Sequence, residues 1–563
     1  MRLLLKIYVE ETLLENSFIN GFFLKEFPKV ISEIFNGDIE GGFLETNENA
    51  DLVLCDASSE KAYGNVLPMV IDNEISETYK NINSFPLPKE VGDENECKQL
   101  ALNLTFAILS RLGIGNFHSR IFISYKRQDT EALALDLYKR LSSESLGFEV
   151  FLDTRKLDVG AKFMDDIRLS IVESDIFLFL DSISYWKGVY TKKELYSAMS
   201  SCTGIIRISS QKDAFSLESK NVVMAFDKNT ILIQKTNSID DKEFTKLIKV
   251  IHNSRIKFLK NKIERINSFC GVHKNERTSL WAFDIKGSMI CPILGVPSSQ
   301  RIEGIERKIM EKNNEKAAFS ILYDHWNIPY AYNRHIQWIV NEKSNIGIET
   351  LQTVHKQIEA MQEKAPVVFL SASLPSDDEI KCDFAKVYEI IIRLVEEVIN
   401  RNGKLVYGGH PTITPIIANM MNVQSMTNDG ENFPNVYLYQ SKFFENTERP
   451  IENLEFPPSN IKNTAKGENL EDSLRIMREN MLGKEWPFTI GVFIGGKINN
   501  KGKCGVWDEC RMFHSYHPKA KCVAFTDTGT DLNNLKKCVE KNESIDINVL
   551  NSVEEFVELL KVM

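Results

Sequence analysis

The stretch that decides the fold runs from residue 120 to residue 208. It opens with RIFISYKRQD (120–129), passes through FEVFL (148–152) and FLDTRKLDVGAKFMDDI (151–167), and reaches SDIFLFL (174–180), SISYWKGVYTKKELYSAM (182–199) and GIIRI (204–208). Apolar runs of strand length alternate with segments of helical period, such as TEALALDLYKRL (130–141) and FMDDIRLSIV (163–172). Strand, helix, strand, repeated, predicts a parallel sheet covered on both faces. KNVVMAF (220–226) reads as the fifth strand of that sheet. A long charged helix over 241–267 reads as leading away with no second core of its own.

Working outward, residues 365–563 repeat the pattern. PVVFLSASLP (366–375) is a strand running into a loop of small residues, and YEIIIRLVEEVINRNG (388–403) is a helix. KLVYGGHPTITPIIANM (404–420) reads as strand, Gly-Gly turn and helix; FTIGVFIGG (488–496), KCVAFTD (521–527) and INVLNS (547–552) add further strands. Residues 440–484 read as a long insertion or lid. On the other side, residues 1–117 alternate strands (LLLKIYV, ADLVLC) with helices (FLKEFPKVISEIF, ECKQLALNLTFAILSRL) and show no site chemistry. In 269–364, LWAFDI and MICPILGV read as strands and the rest as helix, with Tyr323, Trp326, Tyr330, Tyr332 and Trp338 as packing. The expected fold class is α/β, with several Rossmann-like doubly wound parallel-sheet domains in series: 1–117, 118–268, 269–364 as an α/β or helical connector, and 365–563.

Bulk properties bound the function. With 563 residues the chain exceeds a single core, and 43% apolar and 26% charged residues are ordinary for globular domains. A net charge of −10 argues against nucleic-acid binding, which needs a basic surface. Ten cysteines without a CxxC pair do not read as a disulfide framework. The opening MRLLLKIYVEE reads as a strand rather than a signal peptide, and no apolar stretch approaches a membrane span. A cytoplasmic location with no membrane partner is the expectation.

The boxes at 120–199 resemble the TIR family. FISYKRQD is similar to its first box, and DTRKLDVGAKF to its BB loop, with Leu157 and Gly160 in the expected places. SISYWKGVYTKKEL is similar to its serine–tyrosine–serine–tryptophan–cysteine–glutamate stretch. Ser182, Tyr185 and Glu194 match by type and spacing, whereas Gly188, Tyr190 and Thr191 replace the usual serine, tryptophan and cysteine. The resemblance implies a flavodoxin-like fold and, in its enzymatic members, cleavage of the N-glycosidic bond of NAD⁺. Glu194 is then the key carboxylate, near the start of its helix, where the macrodipole favours the ionised form. A carboxylate by the ribose hydroxyls suits an oxocarbenium-like transition state. Tyr125, Arg127, Ser182, Tyr185 and Tyr190 are the candidate NAD⁺ contacts; Arg127 reads equally as a surface arginine, and Asp129 as an N-cap rather than a ligand. The resemblance also implies self-assembly through the BB loop, around Arg155, Leu157 and Gly160.

LSASLP, YGGHPTITP and FIGG followed by GVWDE resemble the SLOG superfamily, in the STALD-type subgroup found beside TIR and Sir2 domains. Loops of small residues after strands let backbone N–H groups approach a phosphate. Ser371, Ser373, Gly408, Gly409, His410, Gly495, Gly496 and Glu509 are the candidate contacts for a nucleotide signal. His410 reads either as a ligand contact or as a turn residue, and Glu509 either as a ribose contact or as a brace. The insert KINNKGKCGVWD separates the Gly-Gly pair from Glu509, a departure from the compact base-cleaving motif that favours a sensor. Cys504, Cys510, His514 and His517 fit no common zinc spacing, so no metal is expected.

Joined, the two resemblances imply an NAD⁺ glycohydrolase switched on by an ADP-ribose-derived signalling nucleotide, similar to Thoeris-like anti-phage effectors. No cofactor beyond NAD⁺ as substrate and a nucleotide activator is expected. Two alternatives stay open: the TIR domain synthesises a cyclic ADP-ribose signal, or it is a non-catalytic, nucleotide-gated scaffold.

Overall fold

A computed structural model describes residues 3–561 apart from 36, 38, 64, 72–73, 83, 88–93, 113–118, 144–145, 147, 153–160, 202, 216, 271–281, 286, 314–317, 324–327, 329, 344, 351–352, 355–364, 375–381, 411–412, 428–434, 445–455, 457, 497–503 and 531–546. The described elements form four sheets flanked by helices. This is the α/β architecture expected, Rossmann-like units in series.

The first sheet contains β1 (Leu3–Val9), β2 (Ile39–Leu44), β3 (Leu52–Asp56), β4 (Val66–Val70) and β5 (Phe85–Pro86), with helices α1 (Leu24–Ile34) and α2 (Glu94–Arg111). Its order is β2-β1-β3-β4-β5, all parallel.

The second sheet contains β6 (Ser119–Ser124), β7 (Phe148–Leu152), β8 (Ile176–Leu180), β9 (Gly204–Ser209) and β10 (Thr230–Leu232) in the parallel order β10-β9-β8-β6-β7. Its helices are α3 (Arg127–Leu141), α4 (Ala161–Val172), α5 (Ile183–Lys187), α6 (Val189–Ser200) and α7 (Leu217–Ala225). The fully buried run of β8, Ile176 to Leu180, explains its unbroken apolar sequence. One expectation fails here. KNVVMAF lies mostly in α7, and the fifth strand is the shorter β10. Ser219, Val222 and Val223 are buried while Met224 is 36% exposed, a helical spacing that a short apolar run conceals.

The third sheet has β11 (Phe283–Ile285), β12 (Ser288–Ile293), β13 (Phe319–Tyr323) and β14 (Ile346–Thr350), with α9 (Ser299–Asn313) and α10 (Tyr330–Asn341). β11 is antiparallel to β12 and the rest are parallel, so this region holds two more strands than its sequence suggested. Tyr323 is buried, but Trp338 is 60% exposed and stacks on His335, so it does not pack into a core; Trp326 lies outside the described residues.

The fourth sheet has β15 (Val367–Ser373), β16 (Lys404–Gly408), β17 (Val436–Ser441), β18 (Ile461–Thr464), β19 (Ile490–Gly495), β20 (Lys521–Phe525) and β21 (Ile547–Leu550). Its parallel order is β18-β17-β16-β15-β19-β20-β21, and its helices are α11 (Phe384–Asn400), α12 (Thr414–Thr427), α13 (Leu470–Met481), α14 (Gly505–Tyr516) and α15 (Val553–Lys561). The supposed lid at 440–484 contributes sheet strand β18 and helix α13, which Asn469 caps by accepting from Asp472 N.

The helix expected to lead away, α8 (Asp241–Cys270), is instead a strut. Leu247 and Ile251 enter the core of the second sheet, Phe258, Leu259, Ile263 and Ile266 enter that of the first, and Arg265 donates to Glu396 of α11 at 2.7 Å. Its length reads as isolation only while its neighbours are unknown. Among the described residues no helix is long and apolar enough to cross a membrane.

Candidate functional site

In a doubly wound sheet, ligands sit at the carboxyl ends of strands where the strand order reverses. The second sheet reverses between β6 and β8. There Ser124, the last residue of β6, donates from Oγ to Glu194 Oε2 at 2.6 Å. The Ser124 and Tyr185 hydroxyls are 2.9 Å apart, and Tyr185 also donates to the Thr191 carbonyl at 3.1 Å. All three side chains are buried, Glu194 at 8% exposure. Burial pushes the Tyr185 phenol well above its usual range, and the nearby Glu194 adds to it, so the phenol stays a neutral donor.

The helix carrying Glu194 starts at Val189, which puts Glu194 on its second turn. The macrodipole fades beyond the first turn, so it orients this carboxylate less than the sequence suggested. The Ser124 hydroxyl supplies the local hold. Ser182 is the N-cap of α5 and accepts from Tyr185 N at 3.2 Å. Asp129 is not an N-cap, since α3 begins at Arg127 after Lys126; its carboxylate accepts from Ser184 N in the first turn of α5. Tyr125 and Arg127 are half-buried beside the end of β6, while Tyr190 is 44% exposed on the first turn of α6. Arg155, Leu157 and Gly160 lie outside the described residues.

The loop after β8 is anchored by a buried pair. Arg207 Nε donates to Asp181 Oδ2 at 2.7 Å, Trp186 Nε1 donates to Asp181 Oδ1 at 2.6 Å, and Arg207 and Asp181 are shielded from solvent. The replacements at 188 and 191 fit one another. Thr191 Oγ1 donates to the carbonyls of Tyr185 and Gly188, and a Cβ at 188 would collide with that oxygen. The same Cβ position is 3.3 Å from Lys126 Nζ, which sets an ammonium group beside the start of α6. Sequence reading passed over Ser124 and Lys126, although both lie in the quoted FISYKRQD box.

The fourth sheet reverses between β15 and β19, and the three small-residue stretches lie at the carboxyl ends of β16, β15 and β19, with Ser371–Ser373 still paired as strand rather than forming the expected loop. Gly495 (φ +70°) and Gly496 (φ +141°) take backbone conformations closed to most side chains, and Gly496 N donates to Ser373 O at 2.9 Å. Ser371 Oγ donates to Glu509 Oε2 at 2.6 Å, and Arg478 Nε to Glu509 Oε1 at 3.1 Å. Glu509 thereby ties β15 to α14 and α13. Arg478 lies in the segment read as an insertion, where nothing in the sequence marked it. His410 closes its loop onto α12 through its backbone, its N donating to Thr414 Oγ1 at 3.1 Å and its carbonyl accepting from Thr414 N at 3.0 Å. Cys504 is the N-cap residue of α14, Cys510 is core, and His517 Nε2 bonds the Leu482 carbonyl at 2.8 Å.

The first sheet also holds a polar cluster at its own reversal. Glu10, buried after β1, accepts from Asp56 N, Ser59 Oγ and Tyr63 OH at 3.0–3.2 Å. Spread from residue 10 to residue 63, these residues gave no sequence signal. A cavity of about 740 Å³ opens between α8, α7 and α11, and none of the predicted site residues lines it.

One reversal thus sets a hydroxyl-bonded glutamate at the strand ends of the second sheet, and the other sets glycine-rich turns at those of the fourth. Residues 121–235 match the family model described as the TIR domain, and residues 381–561 match that of the SLOG cluster3 family. The chain therefore carries a TIR domain and a C-terminal SLOG domain, the latter matched through the cluster3 model where the sequence boxes pointed to the STALD type. No curated protein matches the chain.

Proposed function

We propose that the TIR domain cleaves the N-glycosidic bond of NAD⁺ with Glu194 beside the ribose, and that a nucleotide bound to the SLOG domain controls it. The observation that carries this reading is the buried Glu194 carboxylate, hydrogen-bonded by Ser124 at the reversal of the TIR sheet. The C1′–N bond breaks with both electrons passing to nicotinamide, which leaves as a neutral ring. The ribosyl oxocarbenium so formed is stabilised by a carboxylate whose hydrogen bonds to the ribose hydroxyls strengthen as the charge grows. Water then adds at C1′ and loses a proton, giving ADP-ribose. Lys126 and Arg127, at the start of α3, and Tyr190, in the first turn of α6, serve as contacts for phosphate and base. The matched pair Gly188 and Thr191 favours a rebuilt pocket over an inert scaffold.

In the SLOG domain, the end of β15 at Ser371–Ser373 and the turns at Gly408–His410 and Gly495–Gly496 receive a phosphorylated signal of the ADP-ribose type. Assembly through the BB loops around Arg155, Leu157 and Gly160 completes the TIR site, in the manner of a Thoeris-like anti-phage effector, and NAD⁺ depletion is the output. The test is nicotinamide release from NAD⁺ by the purified chain, alone and with ADP-ribose or its cyclic isomers. Release that is lost in Glu194→Gln supports the reading; no release under any condition sinks it. Free ADP-ribose among the products marks hydrolysis, and a cyclised product marks signal synthesis.

A further inference from the structure

The helix bearing Glu194 is clamped by the SLOG domain. α6 is buried on every side from Glu194 to Ser200, and one partner there is α12, the helix that leaves the Gly408–Gly409–His410 loop. Tyr196 and Met199 of α6 share one core with Ile413, Ile416, Ile417 and Met420. A single amide reaches across this apolar contact. Asn419 Oδ1 accepts from Ser197 Oγ at 3.3 Å, and Asn419 Nδ2 donates to Ser200 Oγ at 2.9 Å. All three residues are buried, so each bond is costly to leave unmade. Ser197 follows Glu194 by three residues, less than one helical turn.

We infer that Asn419 is a positioning residue for Glu194, through which the SLOG nucleotide loop sets the rotation and height of α6. The inference rests on the proposed NAD⁺ chemistry and names its means of control. His410 is tied by its backbone to Thr414 at the start of α12, and Asn419 lies five residues further on, about 7.5 Å along a rigid helix. A ligand that draws the loop toward its phosphate moves α12 along its axis. The buried amide passes that shift to Ser197 and Ser200, because close-packed helices slide as units rather than deform. Met199, in the last turn of α6, and Thr203, just beyond it, border the 740 Å³ cavity, which leaves that end room to shift. The coupling is reciprocal: a ligand held at Glu194 tightens binding at the SLOG loops by the same factor.

The experiment uses the full chain and a double-mutant cycle read by nicotinamide release under whichever condition activates the unsubstituted protein. Asn419→Ala lowers kcat on the order of tenfold and leaves KM within twofold. Ser197→Ala/Ser200→Ala, which trims only two hydroxyls, does the same in protein whose melting curve remains cooperative, and the triple variant loses no more than either. Asn419→Ala with unchanged kcat, or losses that simply add, overturns the inference while leaving the NAD⁺ reading intact. No nicotinamide release by the unsubstituted chain overturns the reading, and the inference with it.

Discussion

Ser124 Oγ and Glu194 Oε2 meet at 2.6 Å across 70 residues of chain, joining the last residue of β6 to the second turn of α6. The bond fixes which way a buried carboxylate points. Ser124→Ala removes this donor from a buried carboxylate, at a cost of about 1–3 kcal/mol. The expected result is a kcat lowered by roughly tenfold or more with a small change in KM, because positioning acts on the transition state. Steady-state nicotinamide release checks it. A loss of affinity alone would show that Ser124 serves binding instead.

How much of this was legible beforehand differs by residue. Glu194 and Tyr185 could be picked out because SISYWKGVYTKKEL resembles the TIR stretch and these residues match it by type and spacing. Which face of α6 lies against another domain could not, because Ser197, Ser200 and Asn419 meet across 219–222 residues and leave no local pattern. The same limit misled the reading of α8, whose apolar residues serve two cores in turn. KNVVMAF failed for a different reason: a short apolar run carries too few turns to separate period 2 from period 3.6. The glycines of the SLOG loops were readable, while Arg478, which holds Glu509, sits on a polar helix like any surface arginine.

The pair at 188 and 191 predicts a compensation. In Gly188→Ser the new Cβ collides with Thr191 Oγ1, and the hydroxyl must give up its bonds to the carbonyls of Tyr185 and Gly188. The single variant is expected to lose about 1–3 kcal/mol of stability. Gly188→Ser/Thr191→Cys, which recreates the residues usual in the TIR stretch, recovers most of it. Melting curves of the two variants decide; equal losses would mean that the positions do not compensate.

Gly495 makes a sharper case. Its φ of +70° costs any L side chain about 1–2 kcal/mol, and a Cβ there would run into the Ser373 carbonyl. That carbonyl is main chain at the end of β15 and cannot swing aside. Gly495→Ala is therefore expected to cost about 2 kcal/mol or more and to abolish nucleotide binding by the SLOG loops. Denaturant titration measures the first effect. A stable Gly495→Ala chain that still responds to every nucleotide the parent responds to would rule out a role for this loop's shape.

His252 gives the pH dependence. It lies in α8, where burial lowers its pKa from 6.5 to about 3, with the Arg255 charge adding to the effect. The folded chain thus binds fewer protons at this site than the unfolded chain between those two values. Stability is fully present above about 6.5 and falls as the pH drops through that window toward 3. At pH 5.5, one unit below the unfolded value, the loss from this residue alone is about 1.4 kcal/mol. His252→Gln removes the titration and keeps an uncharged polar group, so its stability is expected to change less between pH 7.5 and pH 5.5 than that of the parent. Urea midpoints at the two pH values measure the difference. Parallel declines in the two proteins would assign the acid sensitivity to other groups, such as the buried Asp181 carboxylate, which burial pushes up against the opposing pull of Arg207.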